Sequence, residues 1–376
     1  MTRDAVRARD LGVPFDGDPG PLNAVTDVPG VEVGHVTRIE DLPARDDAPG
    51  GVAVRTGVTA LHPLGRGATE GVMGGFFSLN GNGEMTGTAF LDEFGTVFGP
   101  VVSTNTLNVG TARDAVAAWC RARIGFGHAV TAGSLPVAAE TWDGKLNDIF
   151  GGHVRAEHVH RALDAASAGP VAEGNVGGGT GMTAYDFKAG IGTASRRVAT
   201  TGGPYTLGVL VQANYGKRPH LRIAGVPVGR EIPEAMPTAE DGAEAGRPAG
   251  PDGSIIAMVV TDAPLLPVQL RAVAKRVALG LGRNGSIAAH SSGDLFLAMS
   301  TANRVAYDPD GVHRASFVPS ERLDPVYEAT VQASEEAVVN ALVAARTMTG
   351  AGGVTYYALP HARLQEVLHA YGRLAR

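Results

Sequence analysis

The sequence predicts a layered α/β fold. Three observations support this. Ile255-Ile256-Ala257-Met258-Val259-Val260 is an unbroken apolar run, as expected of a strand covered on both faces. Leu266, Leu270, Val273, Val277 and Leu281 then recur at helical spacing. Strand and helix signals of these kinds stand on both sides of a glycine- and proline-rich stretch, but without the regular βαβ alternation of a doubly wound sheet.

In chain order, residues 1–50 read as irregular, with a short strand signal at 31–36. Apolar segments alternate with glycine and asparagine turns over 51–105, and Asn80-Gly81-Asn82-Gly83-Glu84 is a turn signal. A helix is predicted from Thr111, which can cap it, with Asp114 in its first turn and Val116 and Trp119 on one face. Irregular structure follows, then a helix over 159–166, a glycine loop at 174–181, and strands at 195–200 and 206–213. After the 255–260 strand comes a helix with Pro264 at its start and Gly282 at its end. A strand over 294–300 precedes a long helix opened by Asp324-Pro325 and running to about Thr347. A last helix is expected over 364–374. The whole reads as one domain of 376 residues, long enough to bury a large core. Its 52 glycines, about twice the usual share, predict many tight turns and few long helices.

The net charge of −6, with no Lys/Arg run longer than two, argues against nucleic acid or an anionic membrane as partner. Residues 1–7 lack the apolar centre of a secretory signal, and no apolar run approaches the roughly 18 residues of a membrane span. Cys120 is the sole cysteine, which excludes an internal disulfide and a thiolate metal cluster. A soluble cytoplasmic protein is expected.

Common catalytic signatures are missing: there is no G-x-S-x-G elbow and no H-E-x-x-H. His153, His158 and His160 cluster, but the two-residue spacing of the last pair turns them apart on a helix, so surface or capping roles are expected. The 174–181 loop lacks the Lys-Ser/Thr ending of a phosphate-binding loop and reads as a tight turn that lets two backbones approach.

The Gly253-Ser254 junction is more informative. Residues 229–253 are rich in Gly, Pro, Ala and Glu and carry no period, which is linker composition. Ser254 stands first on the apolar strand. Cleavage before it would give Ser254 a free α-amine of pKa near ~8. That amine can take the proton of its own hydroxyl near neutral pH. An ordinary turn Gly-Ser is the competing reading. Three further segments bear on the choice. Asn214 sits where a strand meets a glycine turn and can aim an amide at a developing oxyanion. Ser292 stands two residues before Asp294, a spacing that permits a short relay between hydroxyls. Glu140 lies beside Trp142 in a turn-rich segment, an arrangement suited to an ammonium group. Each of these is equally an ordinary turn residue when taken alone.

Taken together and in order, these segments resemble the self-processing serine aminopeptidases that include the L-aminopeptidase/D-Ala-esterase-amidase and the β-peptidyl aminopeptidases. The likeness runs almost end to end. It covers Asn23 to His35, Asn80 to Glu84, Glu140 to Asp148, Gly174 to Gly181, Val211 to Gly216, Asp252 to Leu266, Ser292 to Asp294 and Ser300 to Asn303. The resemblance implies an α-β-β-α sandwich similar to N-terminal-nucleophile hydrolases, with different connectivity. It also implies autocleavage at Gly253-Ser254 into an α-chain, 1–253, and a β-chain, 254–376. Ser254 then matches the nucleophile, Asn214 the oxyanion donor, and Ser292 and Asp294 a second serine and an acid; Glu is common at the acid position in the family. Glu140 matches the acid that holds the substrate amine. Trp142 falls where some members carry a tyrosine, and an indole has no hydroxyl to assist the nucleophile, so a larger, more apolar pocket is expected. No cofactor and no metal are implied, and a homo-tetramer is.

The activity expected on this resemblance is release of N-terminal residues from short peptides, amino acid amides or esters. The alternatives are an acyltransferase of the ornithine acetyltransferase type, whose nucleophile is threonine, and a non-catalytic relative that binds small amines.

Overall fold

The computed structural model describes residues 6–45, 51–125, 127–128, 135–238, 253–308 and 310–374. Its strands are, in chain order, β1 (Glu32–Leu42), β2 (Val52–His62), β3 (Gly71–Gly81), β4 (Thr96–Phe98), β5 (Val101–Asn105), β6 (Val137–Thr141) and β7 (Thr183–Ala184). Then come β8 (Phe187–Lys188), β9 (Ile191–Thr200), β10 (Gly203–Tyr215), β11 (Gly253–Thr261), β12 (Gly293–Val305), β13 (Met348–Thr349) and β14 (Thr355–Tyr356). The α-helices are α1 (Thr88–Phe94), α2 (Val109–Ile124), α3 (Ala156–Asp164), α4 (Val228–Glu231), α5 (Pro267–Arg283), α6 (Asp324–Val343) and α7 (His361–Ala370).

Side-chain alternation on the strands builds the layers. One sheet has the order β1-β2-β5-β6, the other β4-β3-β12-β11-β10-β9. Val33, Leu61, Val101 and Val137 of the first sheet meet Leu210, Ile256, Met258, Val260, Leu295 and Leu297 of the second in one core. The alternate residues Ile255, Ala257 and Val259 pack the other way, with Leu270, Val273 and Val277 of α5 and Ala333, Ala337 and Ala341 of α6. On the far side, α2 and α3 cover Val36, Val58, Ala60 and Val102 of the first sheet. This is the α-β-β-α sandwich expected above. Parity also places the candidate nucleophile. Ser254 is in phase with Ile256 and Met258, so it faces the other sheet, and Asn214 is in phase with Leu210 on the neighbouring strand.

Several element boundaries differ from those predicted, each for a local reason. The 31–36 signal is the start of an 11-residue strand. Helix α2 begins at Val109, not Thr111, because Asn105 accepts the Asn108 N–H and caps a preceding 3-10 turn. Helix α3 spans Ala156–Asp164 rather than 159–166, with His158 Nδ1 accepting the Arg155 N–H at its start. Pro267, not Pro264, opens α5; the Pro264 carbonyl instead accepts the Val318 N–H. Gly282 lies inside that helix, and the left-handed residue beyond its end is Gly285 (φ +92°). Helix α6 stops at Val343 because Asn175 binds both the N–H and the carbonyl of Arg346. The last helix is His361–Ala370 rather than 364–374. With α2, α5 and α6 at 16, 17 and 20 residues, long helices are less scarce than the glycine content suggested.

Of the predicted linker, residues 229–231 belong to α4 and Thr238 bridges to Thr355, whereas 239–252 lie outside the described residues. Cys120 is buried in the α2 packing layer, and burial pushes its thiol up to about 12. His153 is bonded to Asp148, and His160 to the Ala115 carbonyl.

Candidate active site

The register between β10 and β11 brings two of the candidate residues together. Asn214 pairs directly with Ser254, and Tyr215 with Gly253. Gly253 has φ +117°, and a Cβ built there would lie 2.0 Å from the Asn214 carbonyl oxygen and 2.6 Å from Tyr215 Cα. Only glycine lets the incoming chain approach β10 this closely in that backbone conformation.

The Asn214 amide has a defined orientation. Its Oδ1 accepts the Thr183 N–H at 2.9 Å, and its Nδ2 donates to the Trp142 carbonyl at 2.9 Å. A backbone N–H can only donate and a carbonyl can only accept, so the reversed amide would break both bonds. Trp142 takes one of the two Nδ2 hydrogens, and the amide nitrogen carries a second.

Ser254 also pairs with Gly293 across the parallel ladder to β12. The flanking residues Ser292 and Asp294 form a buried pair, with the Ser292 hydroxyl donating to Asp294 Oδ1 at 2.6 Å. Asn80 Nδ2 approaches Asp294 Oδ2 at 3.3 Å. Burial raises the Asp294 carboxyl above its ordinary range, while its bonds to Ser292, Asn80 and the Ile255 N–H pull it down. Asp294 is in phase with Phe296, so the pair lies toward the helix side of the strand and Ser254 toward the sheet side. A cavity of about 80 Å³ opens beside Ser292, lined by Tyr215, Lys217, His220, Ser286 and Ala289 among others.

Glu140 comes from the first sheet and is only 2% exposed. Its Oε1 accepts the Glu84 N–H at 2.7 Å, and its Oε2 accepts the Thr106 hydroxyl. Burial raises this carboxyl, and the two hydrogen bonds oppose the shift. Gly83 connects Glu140 to the strand ends: a Cβ there would lie 3.2 Å from both Glu140 Oε1 and Gly293 Cα. The carboxylate thus stands one residue's width from the strand that pairs with Ser254. Trp142 contributes its carbonyl to Asn214, while its indole crosses Gly144 and meets Phe150 edge-on at 6.4 Å. Phe150 is 81% exposed.

Several of these participants were not singled out by sequence. Asn80 and Glu84 belong to a turn segment that the resemblance covers, but neither residue was given a role in the site. Thr106, Thr183 and Phe150 stand in stretches without a signature. Asp143, next to Trp142, is fully buried and pushed up to about 7 by burial, against hydrogen bonds from Thr56, Asn147 and Asn105. The glycine run 177–181 is buried and does bring backbones together, since a Cβ at Gly181 would lie 2.2 Å from the Arg55 carbonyl oxygen and one at Gly179 would lie 2.4 Å from the Ile191 nitrogen. Among the described residues, no group of three or more His, Cys, Asp or Glu could hold a metal ion, and no helix is long and apolar enough to cross a membrane.

A serine on the inner face of a central strand, between two stacked sheets and two helical layers, is the frame of an N-terminal-nucleophile-like hydrolase. The chain belongs to peptidase family S58, whose sequence profile matches residues 23–356. It is accordingly a hydrolase of the aminopeptidase kind. It is 50% identical over 375 residues to the β-peptidyl aminopeptidase BapA of Sphingosinicella microcystinivorans, covering 98% of this chain and 93% of that one. The β-peptidyl aminopeptidase BapA of Sphingosinicella xenopeptidilytica is 48% identical over 372 residues, covering 97% and 91%. Among solved structures, the L-aminopeptidase D-Ala-esterase/amidase of Ochrobactrum anthropi superposes with a TM-score of 0.89 at 45% identity, covering 98% of this chain and 99% of that one. That enzyme is described as a prototype for the serine aminopeptidases and a new variant of the Ntn hydrolase fold.

Proposed function

We propose that the protein is a self-processed serine aminopeptidase or amidase that removes N-terminal residues from short peptides, amino acid amides or esters. The observation that carries this reading is the direct pairing of Ser254 with Asn214 on the inner sheet face, behind a glycine that no other residue could replace without moving the strand. In the first step Ser254 Oγ attacks the Gly253 carbonyl, and the peptide C–N bond gives way to an ester. Water hydrolyses the ester, leaving a Gly253 carboxylate and a Ser254 α-amine. In turnover Ser254 Oγ attacks the substrate carbonyl while the α-amine takes its proton. The free Nδ2 hydrogen of Asn214 stabilises the oxyanion. The α-ammonium returns the proton to the leaving amine, and water then releases the acyl group.

Ser292 donates its own hydrogen to Asp294, so its oxygen is left as an acceptor for the α-ammonium. Glu140 pairs with the substrate's ammonium, which restricts cleavage to a chain end. Similarity to β-peptidyl aminopeptidases over nearly the whole length favours β-amino acid residues at that end. Intact-mass analysis under denaturing conditions tests the proposal. Wild type should give two fragments, 1–253 and 254–376, whose masses sum to the 38.6 kDa chain plus one water. Ser254→Ala should stay whole and inactive. Fully active wild type in one piece would overturn the reading.

A further inference from the structure

We propose that Lys188 is a positioning residue for the Asn214 amide, acting through the peptide group between Met182 and Thr183; this rests on the oxyanion role given to Asn214 above. Lys188 is fully buried on β8, opposite Thr183 of β7. Its Nζ donates to the Ala189 carbonyl at 2.6 Å and the Met182 carbonyl at 2.7 Å, with the Gly179 carbonyl at 3.5 Å. Burial is what lowers its pKa well below the usual lysine value, and no charged neighbour shifts it. A lysine in such a place is costly, and a methionine would fill the space with less penalty. Its position therefore calls for an explanation beyond packing.

The Met182 carbonyl belongs to the same peptide unit as the Thr183 N–H, which donates to Asn214 Oδ1 at 2.9 Å. That carbonyl also accepts the Ala189 N–H at 3.1 Å. Donors on a carbonyl polarise its peptide unit and strengthen the N–H at the other end. Asn214 repeats the pattern: a donor on Oδ1 makes the Nδ2 hydrogens better donors. The chain thus runs from the Lys188 amine through the 182–183 peptide and the Asn214 amide to the position of the oxyanion. It also holds the amide the right way round, because the Thr183 N–H accepts nothing.

The test is a double-mutant cycle on an amino acid p-nitroanilide, with rates expressed per cleaved chain as counted by intact mass. Lys188→Met should lower kcat by about 10- to 100-fold while KM moves less than about 3-fold, since the effect is felt in the transition state. In an Asn214→Ala background the same substitution should change kcat by less than about 3-fold. Lys188→Gln retains a neutral donor and should fall between wild type and Lys188→Met. It serves as the decisive variant if Lys188→Met does not fold. Equal losses in both backgrounds, a change confined to KM, or wild-type kcat in Lys188→Gln would overturn the inference. An Asn214→Ala enzyme with wild-type kcat would instead remove the oxyanion reading itself.

Discussion

Replacing Glu140 by glutamine keeps the volume and removes the charge. The carboxylate is buried, and both oxygens act as acceptors, for the Glu84 N–H and the Thr106 hydroxyl. A glutamine can keep both contacts, its oxygen accepting the Glu84 N–H and its NH₂ donating to the oxygen of the Thr106 hydroxyl, which can turn to accept, so the charge is what is lost. A substrate ammonium about 4 Å from the carboxylate gains about 4 kcal/mol at an effective dielectric of about 20, near a thousandfold in binding. Burial of the carboxylate offsets part of this, so Glu140→Gln should lower kcat/KM on a free-amine p-nitroanilide by roughly 10²–10³. The N-acetylated substrate carries no charge and should lose less than about 3-fold.

The pH dependence gives a second readout. Burial raises the Glu140 carboxyl above its ordinary 4.5. The ionised form is the one that holds an ammonium, so kcat/KM should decline as pH falls through that raised value. The variant should lack this acid limb. The assay is steady-state kinetics on both substrates, after intact mass has shown equal processing. Equal losses on the free and acetylated substrates, or an unchanged acid limb, would refute Glu140 as the amine's partner.

Asn214→Ala should still complete its single self-cleavage over hours, while kcat falls by about 10²–10³ and KM changes little; fragment masses and initial rates check both halves. Asp294→Asn removes the charged acceptor of the Ser292 hydroxyl. It should slow both cleavage and turnover and flatten the acid limb of kcat, because the carboxyl that burial has raised works as an anion and is lost as pH falls. Asp143 is raised from 3.8 to about 7, so its contribution to stability is full below the unfolded value and is lost as pH rises toward 7. Thermal unfolding of Asp143→Asn should therefore improve relative to wild type between pH 4 and pH 7, and a constant difference across that range would contradict the assignment.

What could be read in the sequence followed from local chemistry. The apolar run after Ser254 is strand β11, and the helical repeat after it is α5. The face of β11 could not be read, because Ile255, Ala257 and Val259 are as apolar as Ile256, Met258 and Val260; both sides of the strand are covered. The motif order singled out Ser254, Asn214, Ser292, Asp294 and Glu140 as candidates without showing how they lie relative to one another. That depended on the register between β10 and β11 and on two sheets facing each other, which are long-range facts. The Asn80–Glu84 turn would have the same composition whether or not it bonded to Asp294 and Glu140. Lys188 gave no sign of itself, since lysine ordinarily lies at the surface. Helix ends were misplaced where a distant side chain decided them, as Asn175 does for α6.

The strand order of the larger sheet bears on what a cut before Ser254 would leave behind. Strands β11 and β12 stand in the middle, with β3 on one side and β10 on the other, both from the earlier part of the chain. The two products would therefore be clasped rather than docked. Pulling them apart means unzipping a ladder on each flank of the β11–β12 pair and uncovering α5 and α6 as well. The 254–376 piece alone would carry two open strand edges, a surface prone to aggregation. The processed enzyme should accordingly unfold in one cooperative transition, and its pieces should regain activity only when refolded together.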